Sequence, residues 1–197
     1  MAIRGGRAVA DRVAGRAFAS ASARAPAAIR ILLLAAAVAV AGCDRILPGR
    51  EDLTLPDIAT AEAFYARHNF DAEYRYSGNV FEIVVQQPGD QLRRGGALWA
   101  RVGPYIYLFA PATRELLEQH PGIAGVRAIT MAGDTEVARA LLVRDALNEV
   151  SWSRAAIAHG RALEQGTERP VTMDALARFG EEHTTHEYNP AYVPPRR

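Results

Sequence analysis

The chain has no lysine: all 23 of its basic residues are arginine. Schiff-base catalysis and the phosphate-binding lysine of nucleotide-binding loops both need a lysine amine, so both are excluded. Cysteine is nearly absent as well. Cys43 stands alone, which excludes an internal disulfide and any zinc site built from several thiolates. Serine is scarce beyond it: only Ser77, Ser151 and Ser153 follow, and none lies in a G-x-S-x-G nucleophile turn. The uncharged stretch at residues 31–42 has 12 residues, well short of the roughly 20 that span a bilayer.

What charge there is falls unevenly. Residues 1–42 carry six arginines against one acid, Asp11, for a net +5; the remainder carries 17 arginines against 21 acids, for a net −4. A mildly acidic remainder argues against nucleic acid as a partner, because binders of nucleic acid present a clustered basic face.

The N-terminal order is basic residues, then the short apolar run, then small residues before the only cysteine. That is the layout of an export signal, whose apolar core is about 7 to 15 residues long. Val40-Ala41-Gly42-Cys43 resembles the lipobox of bacterial lipoproteins, a likeness confined to the first 43 residues. The resemblance implies a diacylglycerol group on the Cys43 sulfur, cleavage between Gly42 and Cys43, and acylation of the new amino terminus. It implies a location at the cell membrane or outer membrane, with the lipid bilayer as partner; beyond the covalent lipid no cofactor is predicted, and an envelope protein is a further possible partner. In enteric bacteria an aspartate after the cysteine, here Asp44, goes with inner-membrane retention. The alternative is that residues 31–43 form a buried helix of a cytosolic domain, which their alanine and leucine content would also suit.

Four segments follow from this reading: residues 1–42 as a signal peptide, 43–56 as lipidated cysteine and tether, 57–188 as one domain, and 189–197 as an extended tail. The tether is broken by Pro48, Gly49 and Pro56, and as a flexible coil would hold the domain on the order of 20 Å from the bilayer. Within the domain, Asp57 is suited to cap a helix through His68. Ser77-Gly78-Asn79 separates two alternating runs as a hairpin does, with Phe81, Ile83 and Val85 toward the core. "ALWARV" and "YIYLF" suggest a second strand pair about Gly103-Pro104, the latter covered on both faces. Pro111 opens a short helix over residues 112–119. Another hairpin turns at residues 132–134. Ser151 and Thr172 are suited to cap two closing helices, the first with Trp152, Ala156 and Leu163 on one face. The order indicates α+β, with a largely antiparallel sheet built from hairpins, an N-terminal helix, a short middle helix and a C-terminal helix pair.

Candidate sites are few. In "GEEHTTHEY", His183 and His186 would share a helix face, and Glu182 could add an oxygen ligand for zinc or iron. This is not H-E-x-x-H, and His183 equally continues a core stripe while His186 suits a helix C-terminus. Arg93-Arg94-Gly95-Gly96 could form an anion-binding turn, or a plain loop. Tyr105, Tyr107 and Phe109 would share a strand face and line a groove with Trp99, or simply fill the core. The functional expectation is a membrane-anchored envelope lipoprotein acting as a non-enzymatic binding, accessory or assembly factor. Its alternative is a periplasmic metal-binding protein or metalloenzyme using Glu182, His183 and His186.

Overall fold

A computed structural model describes residues 52–67 and 71–195. The lipobox, the Gly42–Cys43 cleavage site, the upstream basic segment, most of the tether and His68 lie outside these described residues. Among the described residues the fold is α+β, with one five-stranded sheet in the order β1-β2-β3-β4-β5. The elements are α1 (Ile58–Ala66), β1 (Ala72–Ser77), β2 (Val80–Gln86), α2 (Gly89–Leu108), α3 (Pro111–Gln119), β3 (Gly125–Ala132), β4 (Thr135–Val143), α4 (Glu149–Gln165), α5 (Pro170–His183) and β5 (Thr185–Tyr188). Three of the four strand pairs are antiparallel. β2 and β3 run parallel, joined by the crossover through α2 and α3. Among the described residues no helix is long and apolar enough to cross a membrane.

Alternation builds one face of the sheet. Tyr74 pairs with Ile83, Ile83 with Ala128, Ala128 with Ala140, and Ala140 with His186, so one row of side chains crosses all five strands. The neighbouring row runs Tyr76, Phe81, Val126, Leu142. Phe81, Ile83, Val126 and Leu142 are fully buried against the helices. The two-residue hairpin turn at Gly78-Asn79 places Gly78 at φ 62°, which glycine adopts without a Cβ clash. On the opposite face Glu82 accepts from Arg75 at 2.6 Å and pairs with Arg127 across the next strand. Burial opposes ionisation of Glu82, but its bonds to Arg75 and Arg127 outweigh it and hold the carboxyl below the usual glutamate range.

Helices α2 and α5 pack on each other, α2 lies on β3 and β4, α4 packs on α5, and α1 on α3 and β1. Asp57 caps α1, accepting from Thr60 N at 2.6 Å. The cap of α4 is Asn148 rather than Ser151: Asn148 Oδ1 accepts from the Ser151 N–H at 2.9 Å. The buried stripe of α4 is Ala155, His159 and Ala162, with Trp152 packed against the core and Ala156 and Leu163 exposed. Arg169, not Thr172, is the cap residue of α5, with Pro170 in its first turn.

The largest departure is residues 97–109, which are not a strand pair: 97–108 are helical and Phe109 is the C-cap. Val102, Tyr105 and Phe109, spaced three and four apart, are buried together. The rest of the run is covered because α2 lies between the sheet and α5, so an apolar stretch without clear alternation serves as a buried helix. Pro104 sits inside this helix without breaking it. The break comes at Gly96, where φ 52° and ψ −139° divide α2 into two helical segments.

Candidate functional site

The C-terminal histidines do not share a helix face. α5 ends at His183, Thr184 is extended, and His186 lies on β5 opposite Ala140. His186 therefore does not terminate the helix; strand pairing with β4 takes over before it. His183 stacks on Phe179, ring centroids 4.2 Å apart, and its Nδ1 donates to the Phe179 carbonyl at 2.8 Å. Glu182 is exposed. Among the described residues no group of three or more His, Cys, Asp or Glu side chains is placed to hold a metal ion.

What the same segment does build is a polar clasp between α2, α5 and β5. The Arg101 guanidinium forks onto Glu181, with bonds of 2.9 and 3.0 Å, and reaches Asp174 at 3.2 Å. Tyr188 donates to Glu181 at 3.0 Å, so the 2.8 Å contact between the two tyrosine hydroxyls is donated by Tyr105. Burial lowers the basicity of Arg101, but the Glu181 and Asp174 carboxylates more than restore it. Burial and the neighbouring Tyr105 and Glu181 push the Tyr188 phenol up, so it stays protonated and donating. Asn189 fastens the following residues: its side chain donates to Glu136 O at 2.8 Å and its backbone N–H to Val137 O at 3.0 Å. A turn at Asn189–Tyr192 then lays Tyr192 and Val193 on Ala100, Val137 and Ala138. A cleft of about 620 Å³ remains between clasp and tail, lined by Arg101, Glu181, His186, Tyr188, Pro190 and Val193. His186 Nδ1 is buried there with no hydrogen-bond partner.

A second site forms where α2 bends. Arg93 and Arg94 are helical rather than in a turn; Arg93 pairs with Asp90, and Arg94 Nε donates to the Asp90 carbonyl at 3.3 Å. Among the described residues no carboxylate pairs with Arg94. Arg94 lines a cavity of about 440 Å³ with Gln91, Leu98, Trp99, Thr167 and Met173. An adjoining cavity of about 350 Å³ shares Gln91, Trp99, Thr167 and Met173 and continues to Ile106 and Leu163. Tyr107 lines it too, so Trp99 and Tyr107 do meet at one groove, on a helix face and not on a strand. Tyr105 and Phe109 turn instead into the core, stacked at 6.0 Å. The arginine pair and the aromatic set were separate candidates in the sequence; the Gly96 bend brings Arg94 and Trp99 to one opening.

Arg101, Glu181 and Tyr188 carry no local signal. Arg101 and Glu181 are 80 residues apart, and only the packing of α2 on α5 joins them. The chain matches no protein-family model, no curated protein and no solved structure.

Proposed function

We propose that this protein is a cell-envelope lipoprotein: a diacylglyceryl group on Cys43 holds it to a membrane, and its α+β domain works outside the cytoplasm as a non-enzymatic binding, accessory or assembly factor. The observation that carries the anchoring is the order of residues 30–43, a basic residue, a short uncharged run and then Val40-Ala41-Gly42-Cys43. Two acyl chains give stable attachment, since each buried methylene contributes about 0.8 kcal/mol. The groove at Trp99, with apolar walls and one arginine that no described carboxylate neutralises, supports the binding role, because small-molecule sites combine apolar walls with few polar groups. Cells fed radiolabelled palmitate are expected to label the wild-type chain and leave Cys43→Ala unlabelled. Equal labelling of the two, or none of either, contradicts the proposal.

The alternative, a periplasmic metal-binding protein or metalloenzyme, keeps one observation: His186 lines the same cleft as Glu181, and its Nδ1 is buried without a hydrogen-bond partner. Elemental analysis of the purified full chain tests it. Stoichiometric metal lost in His186→Ala supports that reading, and metal-free protein removes its basis.

A further inference from the structure

We propose that the groove beside Trp99 holds the chain of a single-chain anionic amphiphile, a fatty-acid-like carboxylate, with Arg94 on its head group. This deepens the reading of the domain as a binding factor and rests on it.

Shape comes first. The two cavities adjoin and share Gln91, Trp99, Thr167 and Met173, so one lining runs from the first into the second. Leu98 walls the first cavity only, Trp99 and Met173 wall both, and Ile106 and Leu163 the second only, so the apolar lining extends from one to the other. An unbranched hydrocarbon fills such a space, and volumes of about 440 and 350 Å³ lie in the range of small-ligand sites. Met173 borders both cavities, and a methionine side chain with three rotatable bonds adapts its shape to a chain passing it.

Charge sets the direction. Arg94 is the only charged residue lining the first cavity, and no described carboxylate neutralises it. A guanidinium at the edge of an apolar site presents a planar fork of donors that matches a carboxylate. Asp71 lies at the second cavity, where it repels an anionic head, so the ligand enters tail-first toward Ile106 and leaves its carboxylate at Arg94. Gln91 and Thr167, on the shared stretch, are neutral and oppose neither end.

The test uses the full, lipidated chain in phosphatidylcholine nanodiscs. The chain has two tryptophans, so Trp152→Phe leaves Trp99 as the only tryptophan, excited selectively over the tyrosines. Titration with 9,10-dibromostearate is expected to quench Trp99 saturably, with one ligand per chain. Arg94→Glu should weaken binding at least tenfold, and the uncharged methyl ester should bind at least tenfold more weakly than the acid. Radiolabelled palmitate binding to wild-type and Arg94→Glu discs, corrected for empty discs, gives the same comparison without Trp152→Phe. Quenching that rises without saturation, or is equal for acid and ester, or is unchanged in Arg94→Glu, overturns the proposal. Quenching only from brominated phospholipid built into the disc also overturns it, assigning the groove to the bilayer surface. Failure of the lipoprotein reading shows separately, as an unlabelled Cys43, and the same titration is then read on the unlipidated full chain without discs.

Discussion

Replacing Gly180 by alanine tests the close approach of α5 to α2. A Cβ on Gly180 of α5 would lie 2.3 Å from Cδ1 and 2.5 Å from Cγ of Tyr105 on α2. Carbon atoms at rest sit about 3.5–4 Å apart, so the ring or the helix must move by more than an ångström. Tyr105 has little room to yield: it is fully buried, stacked on Phe109 and held at its hydroxyl by Tyr188. Overpacking a core costs about 1–3 kcal/mol, and alanine returns about 1 kcal/mol of helix propensity over glycine. Because the ring is fixed at both ends the upper part of that cost applies, and the net loss is about 1–2 kcal/mol. Gly160 of α4 is the control, since a Cβ there meets nothing within 4 Å; Gly160→Ala should gain about 0.5–1 kcal/mol. For a domain of this size, 1 kcal/mol moves Tm by about 2–4 °C, so the two variants should fall on opposite sides of wild type. Urea unfolding followed by far-UV circular dichroism, at unchanged m-value, measures both. Gly180→Ala at or above wild-type stability, with Gly160→Ala stabilised as expected, refutes the α2–α5 approach and the clasp built on it.

Other perturbations follow from the same geometry. Burial opposes ionisation of Glu82, but Arg75 and Arg127 hold its carboxyl below the usual glutamate range. Its contribution is therefore complete above the unfolded value and lost as pH falls through the folded one. Urea midpoints of wild type should drop on acidification below about pH 4.5 more steeply than those of Glu82→Gln, which at neutral pH is less stable by about 1–3 kcal/mol; identical pH profiles contradict the pairing. Asn148→Ala should cost about 1 kcal/mol as a lost helix cap, while Ser151→Ala stays within about 0.5 kcal/mol; the reverse order in thermal melts would return the cap to Ser151. Arg101→Ala leaves Glu181 and Asp174 without their cation and should cost about 3 kcal/mol, read as a lower urea midpoint. A variant as stable as wild type would show that the clasp does not hold the three elements together.

Where a residue's role is decided by its neighbours in sequence, the role is legible there. Asp57 three residues before Thr60 reads as a cap, Gly78-Asn79 between alternating runs as a hairpin, and Phe81, Ile83 and Val85 as one core face; all three are present. Residues 97–109 misled for a physical reason. A helix buried on nearly all sides loses the polar stripe that marks its period, and Gly103-Pro104 imitates a turn. Gly103 is there for close approach, since a Cβ on it would lie 2.3 Å from Gln87 Nε2. The caps of α4 and α5 slipped by three residues because serine and threonine also occur in first turns, where Thr172 bonds back to Arg169 O. β5 was hidden because four residues are too few to show alternation. Of the site, Arg94 and Trp99 could each be marked, but their meeting depends on the positive φ at Gly96, and the Arg101–Glu181–Tyr188 clasp depends wholly on tertiary packing.

Lipidation of Cys43 is the central claim, and the intact mass of the mature amino-terminal peptide tests it most directly. Protein extracted from membranes and digested should give a first peptide that starts at Cys43 and carries a diacylglyceryl thioether, with nothing from residues 1–42 attached. A peptide that continues through Gly42 into an unmodified Cys43 thiol contradicts the account.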